Sequence, residues 1–392
     1  MTMQLELTDD QHQLQQELRA YFAKVVDEVG GGSNSRSADG RGHYKDYIAR
    51  LGDDGMLGLG WPVEYGGQAR PLVEQLLFVE ESHRAGVPLP LLTLNSVGPT
   101  IMALGSEEQK AKYLPGILKG RIHFAIGYTE PAAGTDLAGL ETKAVLDGDE
   151  FVINGQKVFT SVTNYADYVW LAVRTDPDAP KHKGISVLIV PVDAPGFSYT
   201  PIHTMGGEPT YATYYADVRV PKENLVGELN GGWRLITNQL NHERLAITPS
   251  GSCSQMIEDT RRWAVETKLA DGSRVIDQQW VQLALAKCWA KVEVLRLMNW
   301  RAAGAVGSML PPGNSSATKV YGTELYLEVY NLLIEVVGQA GTVQVDSPGA
   351  VLEARLEKLY RSVLILTFGG GANEVQRDIV AGAALGMTRS AR

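Results

Sequence analysis

The stretch Gly127-Tyr128-Thr129-Glu130-Pro131-Ala132-Ala133-Gly134-Thr135-Asp136 collects groups with which a chain can hold a flat or phosphorylated ligand. Small residues and turn formers let backbone N–H groups come close to a bound molecule, and the hydroxyls add side-chain donors. An apolar run, Ile122 to Ile126, feeds it. The same residues would also make a plain surface turn. A second stretch, Phe368-Gly369-Gly370-Gly371-Ala372-Asn373-Glu374-Val375-Gln376-Arg377, carries three successive glycines. They permit close backbone approach to a ligand, and equally a simple stop between helices. Thiol and metal chemistry have less to work with. Cys253 and Cys288 form no C-x-x-C pair, and the seven histidines show no H-E-x-x-H spacing, so no metal site is expected.

Three blocks of structure must position these stretches. Residues 1–120 read as helical. Thr8 and Gln11 make a capping-box pattern, with Leu14, Leu18 and Phe22 following at helical spacing. Gly30 to Ser33 is a break, and helices are expected again over 44–51, 72–84 and 107–118, with a turn-rich connection from Gly58 to Gly67. Residues 121–230 change period and read as a small β-domain. Asp147-Gly148-Asp149 signals a hairpin, and Asn154-Gly155 a second turn. Residues 231–392 return to long helices with wide apolar faces, the layout of a bundle. Pro311-Pro312-Gly313-Asn314 breaks it, and Ser315 or Ser316 is expected to cap the next helix.

The 392 residues allow two or three such units, at about 100–200 residues each. Hydrophobic residues are 44%, enough for a large core, and the formal net charge is −9. That acidic balance speaks against a nucleic-acid surface and a polybasic membrane anchor. No apolar run approaches the roughly 18 residues of a spanning helix, and the acidic start lacks a signal core. With two thiols and no disulfide framework, a cytoplasmic protein is expected.

Thr129 to Asp136 closely resembles the flavin loop of the acyl-CoA dehydrogenases, a T/S-E-P-x-A/G-G-S/T-D run. Gly60 to Gly67 matches that family's G-W-P-x-E-Y-G-G turn, and helix, β, helix is its subunit layout. The resemblance thus covers nearly the whole chain. It implies an α+β fold and an FAD site in which Tyr128, Thr129, Gly134 and Thr135 contact the flavin. After the N-G-x-K segment at Asn154 to Lys157, Phe159 takes the place of the aromatic near the ring, and Ser161 that of the hydroxyl near N5. Gly371, Ala372 and Glu374 fall in the family's last flavin-contacting turn. Read by themselves, Phe159 and Ser161 would be an ordinary core residue and an ordinary strand-end hydroxyl.

Most family members carry the proton-abstracting Glu in that last turn, as Y-E-G-T. Here Gly370 stands in its place. A minority carries it on an earlier helix, as L-E-R-L, and Leu240-Asn241-His242-Glu243-Arg244-Leu245 matches, which makes Glu243 the base by resemblance. A desolvated carboxylate, its pKa raised toward neutrality, suits removal of a weakly acidic α-proton. His242 is a rival base by chemistry alone. A solvated Glu paired with its neighbouring Arg is the commoner fate of such a dipeptide. The same carry-over gives Thr135, Asn241, Arg244 and Gly370 as contacts to the acyl-CoA substrate.

The family completes each FAD site with an Arg and a Gln from a neighbouring subunit. Lys268 replaces that Arg, Asp271 the Phe of the same pattern, and Glu335 the Gln. Acidic groups beside a pyrophosphate repel it. The resemblance therefore implies a second, related subunit that supplies the adenylate half, as in the heterotetrameric α2β2 steroid side-chain dehydrogenases of actinobacteria. It also implies a bulky branched acyl-CoA and an acceptor such as an electron-transfer flavoprotein. A non-catalytic structural subunit and an oxygen-reactive, oxidase-like flavoprotein are the alternatives.

Overall fold

Thr8 opens the first helix as its pattern predicts. Its hydroxyl accepts the Gln11 N–H at 3.3 Å, and the Gln11 side chain accepts the Thr8 N–H at 3.1 Å. The computed structural model describes residues 6–30, 43–243, 248–304 and 312–388. Its first block holds α1 (Asp9–Gly30), α2 (Tyr44–Asp53), α3 (Leu72–Ala85), α4 (Gly98–Leu104) and α5 (Glu107–Leu118). Ser106 and Gln109 repeat the capping box at α5. Phe22, Ile48, Leu51, Leu77, Ile101 and Tyr113 fill the core between these helices. Before α4 the chain makes one π-helical turn, Thr93–Val97. The Trp61 indole donates to Leu94 O at 3.1 Å and fixes the Gly58–Gly67 connection against that turn.

The middle block is one sheet. Its strands are β1 (Phe124–Gly127), β2 (Lys143–Asp147), β3 (Glu150–Lys157), β4 (Tyr168–Arg174), β5 (Ile185–Pro191), β6 (Phe197–Ile202), β7 (Thr210–Pro221) and β8 (Leu225–Val226). The order is β6-β7-β3-β2-β4-β5-β8, with β1 parallel to β4. β1 pairs with Tyr168 to Leu171, while β2 meets the same strand at Arg174. Both strands thus share one edge of β4, and the chain between them, 128–142, is thrown out of the sheet as a loop. The hairpin at Asp147 to Asp149 forms as expected, with Gly148 at φ +66°.

Asn154-Gly155 does not form the expected second turn. It lies inside β3, where the register against β7 slips between Ile153 and Gly155. The physical reason is a bulge. Asn154 uses its side chain on Asp217, accepting its N–H and donating to its carboxylate, both at 2.9 Å. Gly155 takes φ +152°, where a Cβ would lie 2.6 Å from Thr142 Oγ1.

The last block holds α6 (Gly232–Glu243), α7 (Gly251–Glu266), α8 (Gln279–Gly304), α9 (Pro312–Val337), α10 (Arg355–Val363) and α11 (Asn373–Ile379). Met256, Val281, Leu295, Val329 and Leu333 form its core. Ser315 and Ser316 do not cap α9, which has already begun at Pro312. Ser316 instead donates from inside the helix to Gln376 Oε1 at 2.8 Å. Trp280, Leu283 and Val294 lie along one exposed face of α8. No helix among the described residues is long and apolar enough to cross a membrane.

Candidate active site

The loop that leaves β1 is held by buried polar groups. Glu130 and Ala133 exchange backbone hydrogen bonds at 3.0 and 3.1 Å and close a tight turn over Pro131-Ala132. The Glu130 carboxylate accepts the N–H groups of Glu141 at 2.7 Å and Thr142 at 2.8 Å, and the Lys157 ammonium at 2.7 Å. Lys157 comes from the end of β3, is fully buried, and donates also to Tyr128 O at 3.1 Å. Burial would push the Glu130 carboxyl up, but Lys157 and the N–H donors outweigh it and hold it below its ordinary value. The same burial pulls the Lys157 ammonium down, against the attraction of Glu130. Both residues stand within quoted motifs, yet the sequence reading missed their pairing. A lysine between β-strand apolar residues was the available signal.

A second clamp joins the loop to α6. The Tyr128 hydroxyl donates to Gln239 Oε1 at 2.6 Å, and the Trp170 indole N–H reaches the same oxygen at 3.1 Å. All three residues are buried. Gln239, also missed from sequence, lies one helical turn before Glu243. Arg244 lies outside the described residues. Of Asn241, His242 and Glu243 the structure describes the backbone, as the last turn of α6.

The other loop residues present an open surface. Thr129 is half-buried, and Gly134 and Thr135 are exposed. A Cβ at Gly134 would meet only Thr129 Cγ2, at 3.7 Å. Phe159 is 61% exposed and held at φ +59°, a strained backbone for a bulky residue. Ser161 shares a 3.1 Å hydrogen bond with Thr210. The structure thus places Phe159 as a displayed ring, not as the core residue its type alone would favour.

The glycine turn is held from α9. Gly370 and Gly371 take φ +67° and +99°. The buried ammonium of Lys319 donates to Gly371 O and to Asn373 Oδ1, each at 2.7 Å. Ala372 is the N-cap of α11, and Glu374 points outward on its first turn. Lys319 was not singled out from sequence. A cation in the apolar run of α9 was its signal.

A mainly apolar cavity of about 350 Å³ is walled by Leu91, Leu92, Tyr326, Tyr330, Leu359 and Leu366. Asn95, on the π-helical turn, also lines it. Such turns are frequent at functional sites. The elements around it pin the chain after α6. Asn299 donates to Thr248 O at 2.9 Å, Tyr326 to Pro249 O, and Glu80 accepts the Ser250 N–H and hydroxyl, each at 2.8 Å.

In the segment that the resemblance aligns with the family's adenylate contacts, this chain makes a local hairpin. Asp271 accepts the Ser273 N–H at 2.9 Å and its hydroxyl at 2.6 Å, so its carboxylate closes the turn. Lys268 and Glu335 are exposed.

A helical block, a sheet with a braced loop, and a helical bundle that meets the loop through one amide define an acyl-CoA dehydrogenase subunit. Models of that family's N-terminal, middle and C-terminal domains match residues 8–121, 125–218 and 230–385. The chain is 54% identical to the acyl-CoA dehydrogenase FadE26 of Mycobacterium tuberculosis, over all of both chains. It is 47% identical to FadE29 of the same organism, again over both full lengths. Among solved structures, a chain of the ChsE4-ChsE5 complex from M. tuberculosis superposes with a TM-score of 0.91 at 54% identity, covering 99% of this chain and all of that one. A chain of the Tcur3481-Tcur3483 steroid ACAD gives 0.92 at 51% identity with the same coverage. The chain belongs to the acyl-CoA dehydrogenase family, whose members are flavoproteins acting on CH–CH groups. The open space at Gly134 and the displayed ring of Phe159 fit the flat end of such a cofactor.

Proposed function

We propose that this chain is the base-bearing subunit of a heteromeric, FAD-dependent acyl-CoA dehydrogenase. It introduces an α,β double bond into a bulky acyl-CoA, a steroid side-chain thioester being the best fit. The observation that carries the reading is the clamp of Tyr128 and Trp170 on Gln239. It seats α6 against the flavin loop, and at about 100° per residue position 243 returns to within about 40° of position 239, closer than position 242 does. Glu243 removes the α-proton of the bound thioester. FAD, when bound, would supply the hydride acceptor, and Tyr128, Thr129, Gly134, Thr135, Phe159, Ser161, Gly371, Ala372 and Glu374 would hold it. A backbone N–H at Gly370 takes the thioester carbonyl and stabilises the charge that develops there. Thr135, Asn241 and Arg244 hold the acyl-CoA, and the apolar cavity receives the acyl body.

A related second subunit supplies the adenylate contacts. Three features support this. Asp271 is committed to its own hairpin. The exposed Trp280, Leu283 and Val294 of α8 want cover. The two similar solved chains come from paired complexes. Electrons then pass to an acceptor such as an electron-transfer flavoprotein.

The test is Glu243→Gln in the complex with its partner. FAD should stay bound while exchange of the α-proton with deuterated water stops. Near-normal turnover would remove the assignment. The chain purified alone should bind FAD poorly, and a strongly yellow homo-oligomer would overturn the heteromeric reading.

A further inference from the structure

The apolar cavity borders a second volume. It shares His83, Ser252, Leu359 and Ser362 with an outer cleft of about 740 Å³. That cleft lies between α1, α3, α7 and α10, and charged side chains, among them Arg19, Glu81, Arg84, Glu258 and Arg355, line it between apolar ones. The two volumes therefore adjoin, the inner one mainly apolar and the outer one bearing charged side chains, with four residues lining both.

Of those four, one has hydrogen-bonding capacity to spare on both counts. Ser252 spends its proton on His83 O at 3.1 Å, and Ser362 on Leu359 O at 2.9 Å. Leu359 has none. The His83 imidazole has no hydrogen-bond partner among the described residues. Burial lowers its pKa to about 4, so the ring is neutral under working conditions and offers one donor and one acceptor. A polar group on the border between an apolar chamber and a cleft that carries charges is placed to meet a ligand reaching from one to the other.

We propose that His83 is a specificity residue that hydrogen-bonds a hydroxyl or carbonyl oxygen carried on the acyl group beyond its apolar body. This rests on the function proposed above and narrows its substrate class. The preferred thioester has a wide hydrocarbon body that fills the inner cavity, and an oxygen substituent at the end remote from CoA.

The test uses the FAD-loaded complex and two probe thioesters with the same polycyclic branched acyl body. One bears a hydroxyl on the ring farthest from CoA, and the other lacks it. The expected preference in kcat/KM for the hydroxylated probe is about tenfold, the size of one net neutral hydrogen bond. His83→Leu should bring the ratio close to one, while His83→Gln, which keeps a donor and an acceptor, should retain most of it. FAD absorbance shows that each variant is folded. A ratio near one in the wild-type complex, or a preference that survives His83→Leu undiminished, overturns the inference. α-Proton exchange on both probes would in that case leave the proposed function standing. Absence of exchange with either probe overturns the proposed function, and the inference with it.

Discussion

Lys157 Nζ lies 2.7 Å from Glu130 Oε1 with both side chains withdrawn from water, the lysine wholly and the glutamate to 7% exposure. The pair ties the end of β3 to the start of the loop that leaves β1, and the two backbone N–H bonds to Glu130 fix the loop's far end. Removing one partner of such a pair leaves a buried charge alone. Glu130→Gln should cost about 3–5 kcal/mol of stability. Lys157→Met should cost less, because Glu130 keeps its two N–H donors. Urea denaturation of both single variants and the double variant would give the coupling between them.

Glu80 offers a pH test. Burial raises its carboxyl pKa from 4.5 to about 7, against hydrogen bonds from Ser250 and Gly251. The native state therefore holds this proton at pH values where the unfolded chain has released it. Its stabilising effect is complete below about pH 4.5 and is lost as pH rises through 7. The loss amounts to about 3 kcal/mol. Glu80→Gln can still accept the Ser250 N–H and can donate to its hydroxyl. The variant should gain stability relative to wild type at pH 8 but not at pH 4.5, as read from denaturant midpoints.

Lys319→Met should loosen the glycine turn. Gly371 O and Asn373 Oδ1 would each lose a buried donor, for a total of about 2–5 kcal/mol. Amide hydrogen exchange should speed up first over 369–376, with the strands of the sheet still protected.

Gly155→Ala tests the bulge. A methyl group there would press on Thr142 at 2.6–2.8 Å, from a backbone angle that alanine resists. Thr142 is also a donor to Glu130, so the strain reaches the loop. A loss of more than about 2 kcal/mol is expected, with weaker FAD retention in the assembled complex.

Local patterns in the sequence translated well. The capping box at Thr8, the hairpin at Gly148 and the return to helix after residue 230 depend on neighbours within a few positions. Asn154-Gly155 misled because the same dipeptide serves a turn and a bulge, and only the partner strand decides. Ser315 and Ser316 misled because a hydroxyl near a helix start need not be at its first turn. The bracing groups were out of reach for another reason. Lys157 meets Glu130 across 27 positions, Lys319 meets Gly371 across 52, and Tyr128 meets Gln239 across 111. No periodicity encodes such distant meetings, and a long polar side chain looks the same in sequence whether it is solvated or enclosed.

The oxygen of Gln239 receives a phenol and an indole fixed to the sheet, so the β-layer helps to set the roll of α6 about its own axis. One residue of displacement along that helix is about 100° of roll, which the two fixed donors would not follow. Redesign that moves a side chain of this helix to a neighbouring position cannot therefore be rescued by letting the helix turn. It would need a new pair of anchors, or a different segment of the chain altogether.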